Sequence, residues 1–337
     1  MRIPWRRAAL LGIVVYGLAS RGLEAQGLVA LLNPGGDRQM GALVHSSGNL
    51  HPFGPVAGGV SIGTVGGTET IDESGNRFFF SGTPNGGVAK VYSLSTINGA
   101  VLSSPNLSNA QNGIMMMDWD GGESKLFCLV SVGAGDRQLC TVNTATGAVT
   151  LLGSPIAGAS LGTGGIHTLD AAGNRFFFTG FLGANPEALY VINTATGAEI
   201  ASPNLSGPIV SVRSLAWDAG EAVLFGLFGL ANGDAQLGTV NTSTGVVSLR
   251  GNPLTGGTVS SAGAALDAAG DRYFFAGQPS GGNRAIYTIS TINGIESASP
   301  DITGSALDIL ALRFDPGPLF ADGFASGNTT AWSAVVP

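Results

Sequence analysis

Ile71-Asp72-Glu73-Ser74-Gly75-Asn76-Arg77-Phe78-Phe79-Phe80 reads as the end of a short apolar strand, a tight turn and an aromatic strand. It returns as Leu169-Asp170-Ala171-Ala172-Gly173-Asn174-Arg175-Phe176-Phe177-Phe178, and again as Leu266-Asp267-Ala268-Ala269-Gly270-Asp271-Arg272-Tyr273-Phe274-Phe275. Gly, Asn and Asp suit the turn because it needs positive φ or side-chain bonds to backbone. These are type A units, spaced about 98 residues apart.

Type B units lie between them. One reads Trp119-Asp120, Leu126-Phe127, then Asp136-Arg137-Gln138-Leu139-Cys140; its copy reads Trp217-Asp218, Leu224-Phe225, then Asp234-Ala235-Gln236-Leu237-Gly238. The strand-ending aspartates Asp72, Asp120, Asp170, Asp218, Asp267 and Asp315 recur at 48 to 50 residues, a propeller-sized period. Each unit parses into four strands, a to d; in one, these are 212–217, 222–230, 236–240 and 246–250. The ends of the chain set the count. Asp37-Arg38-Gln39-Met40-Gly41 matches type B strand c, while the missing strand a is Leu310 to Asp315. The expected fold is all-β: a six-bladed β-propeller of three A–B blade pairs, its closing blade shared between the two termini. Such a ring leaves no open edge at its seam. The pattern leaves open whether that blade closes as three strands plus one or two plus two.

Composition agrees. Glycine is 54 of 337 residues, and charged residues are 11%, against roughly 25% in ordinary soluble domains. The 44% hydrophobic share argues against disorder. Arg2, Arg6 and Arg7 precede an apolar run from Ala8 to Ala19, too short to span a bilayer comfortably. The expected organisation is a signal peptide over residues 1–25, the propeller over 26–319 and a tail over 320–337, with no transmembrane segment in the mature chain. The expected location is secreted, periplasmic or cell-surface. Removing residues 1–25 takes four arginines and one glutamate, leaving 11 basic and 21 acidic residues, net −10. A basic stripe for nucleic acid is absent.

Ala188-Leu189-Tyr190-Val191-Ile192-Asn193-Thr194-Ala195-Thr196-Gly197 resembles the repeat of YVTN-type bacterial propellers, and Asp170-Ala171-Ala172-Gly173-Asn174-Arg175-Phe176 resembles the strand–turn–strand of NHL-type repeats. The resemblance covers about residues 27–315 and implies a fold, not an activity. The tail from Phe320 to Ser333 is similar to a C-terminal segment, DGFESGDTSAWS in its usual form, found on exported bacterial proteins. Ala325 and Asn328 depart from that form. The resemblance implies a sorting role; packing across the ring is the alternative.

Cys128 and Cys140 fall on strands b and c of one hairpin, and both matching positions in the next B unit are glycine, Gly226 and Gly238. Present together and absent together, they are expected to form a disulfide. The six repeated aspartates are expected to hold turns rather than cations, since sixfold repetition is what a fold requires. Arg77, Arg175 and Arg272 repeat as turn or inter-blade partners. Residues that break the repeat are better candidates for binding. His167 and Glu69 occupy a position that is Met117, Leu215, Ala264 and Leu312 elsewhere, with a satisfied core histidine the leading reading of His167, and Lys90, Glu187 and Arg284 lie by the b–c loops. Asp118-Trp119-Asp120-Gly121-Gly122-Glu123 has acidic spacing without a full calcium ligand set. Gly-x-Ser-x-Gly occurs at Gly59–Gly63 and Gly158–Gly162 without the following helix a nucleophile elbow needs, and no P-loop or His-Glu-x-x-His occurs, so no catalytic residue, cofactor or metal is expected.

The expected function is a secreted binding or interaction module for a surface polysaccharide or an exported protein. A lyase or hydrolase with its site at the channel mouth is the first alternative, and a structural repeat protein without ligand the second. Charged clusters at the channel mouth would favour the enzyme; a flat Ser/Thr/Asn rim would favour binding.

Overall fold

The computed structural model describes residues 27–315, apart from 59, 62–67, 86, 109–112, 134, 162–165, 183–185, 256–257, 279–281 and 306–307. The signal-peptide and tail expectations lie outside the described residues. Six antiparallel sheets form a six-bladed propeller. The B blades have inner strands Ile114–Asp120, Ser211–Asp218 and Asp308–Asp315. In the first two A blades the inner strand comes in two pieces, Val60–Ser61 with Glu69–Asp72, and Ala159–Ser160 with His167–Asp170. The third A blade keeps Thr258–Asp267, with a register shift between Val259 and Ala264.

Closure is three strands plus one. Gly27–Asn33, Arg38–Leu43 and Leu50–Ala57 come from the start of the described chain, and Asp308–Asp315 joins them as strand a, pairing Gly27 with Asp315 and Asn33 with Asp308.

The core is six cores, one at each blade interface, and this follows from the period-2 alternation of strands. Phe78 and Phe80 pack on Val29, Leu31 and Met40 of the shared blade, while Phe79 turns the other way, onto Met117 and Cys128 of the first B blade. Phe176 and Phe178 likewise face Phe127, and Phe177 faces Leu224 and Phe228. A run of three aromatics is therefore what a blade buried on both faces needs. Each fully buried Phe contributes about 2–3 kcal/mol of transfer free energy.

Cys128 and Cys140 stand opposite in register, are fully buried and form a disulfide with Cα atoms 4.9 Å apart. The other B blades show what replaces it. Gly226 faces Gly238, and a Cβ at 226 would stand 2.7 Å from Phe228 Cζ. In the shared blade Ala30 faces Gly41, where a Cβ would stand 2.6 Å from Leu32 Cδ1. The neighbour two residues along strand b is Val130, Phe228 or Leu32: the side chain grows where the cystine is missing.

Candidate functional site

The site begins with the turns that fix its height. All six strand-ending aspartates are 4% exposed or less. In A blades the carboxylate accepts a turn N–H and a forked arginine: Asp170 takes Gly173 N at 2.9 Å, Arg175 Nε at 2.8 Å and Arg175 Nη2 at 2.6 Å. Asp72 and Asp267 repeat this with Arg77 and Arg272. In B blades Asp120 accepts from Glu123 N, and Asp218 from Gly220 N and Glu221 N. The arginines then bind the next blade. Arg77 lies over Phe79 and Trp119, and Arg175 over Phe177 and Trp217, at 4.8–5.2 Å from the ring centroids, a cation–π arrangement. Arg272 meets His45 Nε2 at 3.1 Å instead. Arginine only donates, so that nitrogen accepts and His45 is neutral. Burial, then the Arg272 charge, pushes the His45 pKa down.

With the inner strands anchored at one height, residues counted back from each aspartate form rings around the axis. They enclose a cavity of about 280 Å³ whose wall includes Glu69, Asp118, His167, Thr168, Arg213 and Arg313. Three before the aspartate stand Glu69, Met117, His167, Leu215, Ala264 and Leu312, paired at equivalent register with strand b. Glu69 and His167 therefore do share a ring. Each is buried and engaged: His167 Nε2 meets Met117 O at 2.7 Å, and Arg313 Nη2 lies 2.7 Å from Glu69 O and 3.5 Å from Glu69 Oε1.

Two before the aspartate stand Thr70, Asp118, Thr168, Ala216, Ala265 and Arg313. Thr70 Oγ1 donates to Asp118 Oδ1 at 2.8 Å and accepts from Trp119 N at 3.2 Å. Thr168 Oγ1 accepts from Trp217 N at 3.1 Å in the same way. Five before the aspartate in the second B blade is Arg213, the extra residue of a bulge between Val212 and Ser214. Met115 and Leu310 are the extra residues in the sister blades. Arg213 forms no ion pair among the described residues. Gly229 makes room for it, since a Cβ there would stand 2.9 Å from Arg213 Nε.

At the lower end, Glu73 has its carboxyl pushed up to about 7, by desolvation first and then by Asp315 and Asp72. Its side chain keeps a solvent-facing edge, so the surrounding protein thins the water around it without sealing it off.

The b–c loop candidates sit elsewhere. Glu187, one residue before strand Ala188–Asn193, accepts from Val212 N at 3.2 Å, which steadies the bulge beside Arg213; burial raises its pKa against bonds from Thr179 and Val212. Arg284, at the matching position, pairs with Asp308 at 3.2 Å. Both tie an A blade to the inner strand of the next B blade. Lys90 pairs with Gly82 inside its strand, one register position further on. The acidic run at Asp118–Glu123 diverges: Asp118 serves Thr70, Asp120 the turn, and Glu123 pairs with Lys125. No group of three or more metal-binding side chains occurs among the described residues.

Asp118, Thr168, Arg213 and Arg313 were not singled out from sequence as cavity residues. Asp118, Arg213 and Arg313 break the repeat as His167 does, but two and five places before the aspartate instead of three, while Thr168 repeats Thr70.

No family model matches the chain, and no curated protein matches it. Among solved structures, TolB from Acinetobacter baumannii is 12% identical with a TM-score of 0.55, covering 87% of this chain and 67% of that one. A protein provisionally designated TolB from Agrobacterium tumefaciens is 10% identical with a TM-score of 0.49, over 75% and 83% of the two chains. One provisionally designated a 6-phosphogluconolactonase from Bacteroides uniformis is 11% identical with a TM-score of 0.47, over 82% of each. Likeness at 12% identity shows the propeller fold alone.

Proposed function

We propose that this chain is an exported binding module that takes a small polar ligand in its axial cavity. The observation that carries the reading is the concentration of charge there: a molecule with 11% charged residues places Glu69, Asp118, Arg213 and Arg313 around one cavity of about 280 Å³. Cavities of this kind, with a few convergent polar groups, are where small ligands bind. The buried disulfide supports an oxidising, exported location. By the sign of its mouth the cavity also meets the condition set for an enzyme. The binding reading is preferred because Glu69 and His167 already spend their groups on Arg313 and Met117 O. A general base must be within reach of a substrate proton.

The test is thermal melting of the wild type and of Ala264→Trp, which fills the cavity, against neutral sugars, sugar acids and amino acids. A ligand that raises only the wild-type midpoint, in proportion to its concentration, supports axial binding. Equal shifts in both proteins place the site elsewhere.

A further inference from the structure

The first and second A–B pairs repeat one hydrogen-bond motif, and the second copy is incomplete. In the first pair Thr70 accepts from Trp119 N and donates its own O–H to the Asp118 carboxylate. In the second, Thr168 accepts from Trp217 N at 3.1 Å, but Asp118 is replaced by Ala216. Thr168 thus keeps an O–H donor with no acceptor among the described residues. Thr168 is half-buried at the cavity wall, where its donor meets solvent or a ligand, and an ionised acceptor is the stronger partner.

Room and charge are found on the same side. Ala216, Ala264 and Ala265 line the cavity where the second B blade meets the third A blade. This small-residue bay lies between Thr168 on one side and Arg313, in the next blade round, on the other. On the same inner strand as Ala216, three residues before it, is Arg213, which forms no ion pair among the described residues. Its bulge re-aims it, and bulges serve that purpose beside functional sites. Arg213 and Gly229 are coupled departures, since the sister blades carry Met115 with Ser131 and Leu310 with Asn33.

Resting on the axial-cavity reading above, we infer that the ligand is a small carboxylic acid, its carboxylate taking beside Thr168 the place that Asp118 takes beside Thr70. Asp118 and Glu69 in the same wall oppose a second negative charge. A monocarboxylate carrying hydroxyls, such as a sugar acid, fits better than a phosphate.

The repeat supplies a test that needs no ligand. Ala216→Asp installs the missing carboxylate, and Ala216→Asn is its neutral isostere. At pH 7 Ala216→Asp is expected to melt above Ala216→Asn, and Thr168→Val or Arg213→Ala to narrow that gap. Ala216→Asp melting at or below Ala216→Asn overturns the inference.

Calorimetry with D-galacturonate, acetate, methyl galactoside and inorganic phosphate is the second arm. Galacturonate is expected to bind the wild type about ten-fold tighter than the neutral galactoside, the value of one charge-assisted hydrogen bond. Ala216→Asp is expected to lose this binding while remaining folded. Galactoside binding as tightly as galacturonate, and blocked by Ala264→Trp, would leave the cavity as the site and remove the carboxylate. Phosphate binding more tightly than either acid replaces carboxylate by phosphate, and failure of both acids to bind overturns the inference.

Discussion

Moving the disulfide from one B blade to the next tests whether the blades share a backbone and differ only in how they fill one space. Cys128 and Cys140 are 12 apart in sequence, and the chain-entropy relation for a loop of that size gives about 3 kcal/mol. The matching pair, Gly226 and Gly238, is equally in register. Yet a Cβ at 226 would meet Phe228 Cζ at 2.7 Å, and one at 238 would meet Ser248 O at 2.9 Å and Phe228 Cε2 at 3.1 Å, whereas the cystine blade has Val130 in place of Phe228. Gly226→Cys with Gly238→Cys is therefore expected to leave the bond unformed and to destabilise the protein, because overpacking costs about 1–3 kcal/mol. Phe228→Val alone is expected to cost a similar amount through the cavity it leaves, about 1–3 kcal/mol. The triple variant should relieve the Phe228 clash, leave only the Ser248 carbonyl to shift, and gain the cross-link, for a coupling above about 2 kcal/mol. Urea unfolding followed by tryptophan fluorescence, with and without reductant, reads this out, and a thiol count confirms oxidation. If the glycine-to-cysteine pair oxidises and stabilises as well with Phe228 in place, the volume argument is wrong.

Ala222 stands at φ 56°, in the left-handed region that Asn76, Asn174 and Asp271 occupy at the matching turn position. Ala222→Asn should stabilise by up to about 1 kcal/mol, visible as a rise of roughly 2 °C in midpoint. Glu73, raised to about 7 from an ordinary 4.5, binds more protons folded than unfolded between those values. Its contribution is present below pH 4.5 and lost as pH rises through about 7, so Glu73→Gln should match wild type at pH 4 and exceed it at pH 8 in urea midpoints. Phe177→Ala empties the interface between the second A and second B blades and should cost about 3–5 kcal/mol by urea titration; a loss below about 1 kcal/mol would contradict the two-sided packing.

Blade number, alternation and the disulfide were legible in the sequence because each is written as a repeat or as a paired departure from one. The Asp72 and Phe78-Phe79-Phe80 pattern appears three times, so its period reports strand spacing directly. The site was less legible, because its members are set by height along the axis as well as by position in the repeat. His167 was visible at one level, but Thr168 and Ala216 become informative only when the Thr70–Asp118 bond is seen and found incomplete in the next pair. Arg213 stands where the sister blades have Met115 and Leu310, and its place on the cavity wall becomes clear only with the bulge that all three share. Glu187 and Arg284 stood out as unrepeated charges and prove to tie neighbouring blades at Val212 and Asp308.

The seam has a consequence in time. Gly27–Asn33 is made early, yet its inner partner, Asp308–Asp315, is among the last described segments to leave the ribosome. Contacts between distant parts of a chain form late, since the loop between them must first be closed. Until then the other blades can stack only as an open arc with one bare strand edge. A chain built this way closes its ring only after Asp308–Asp315 has been made.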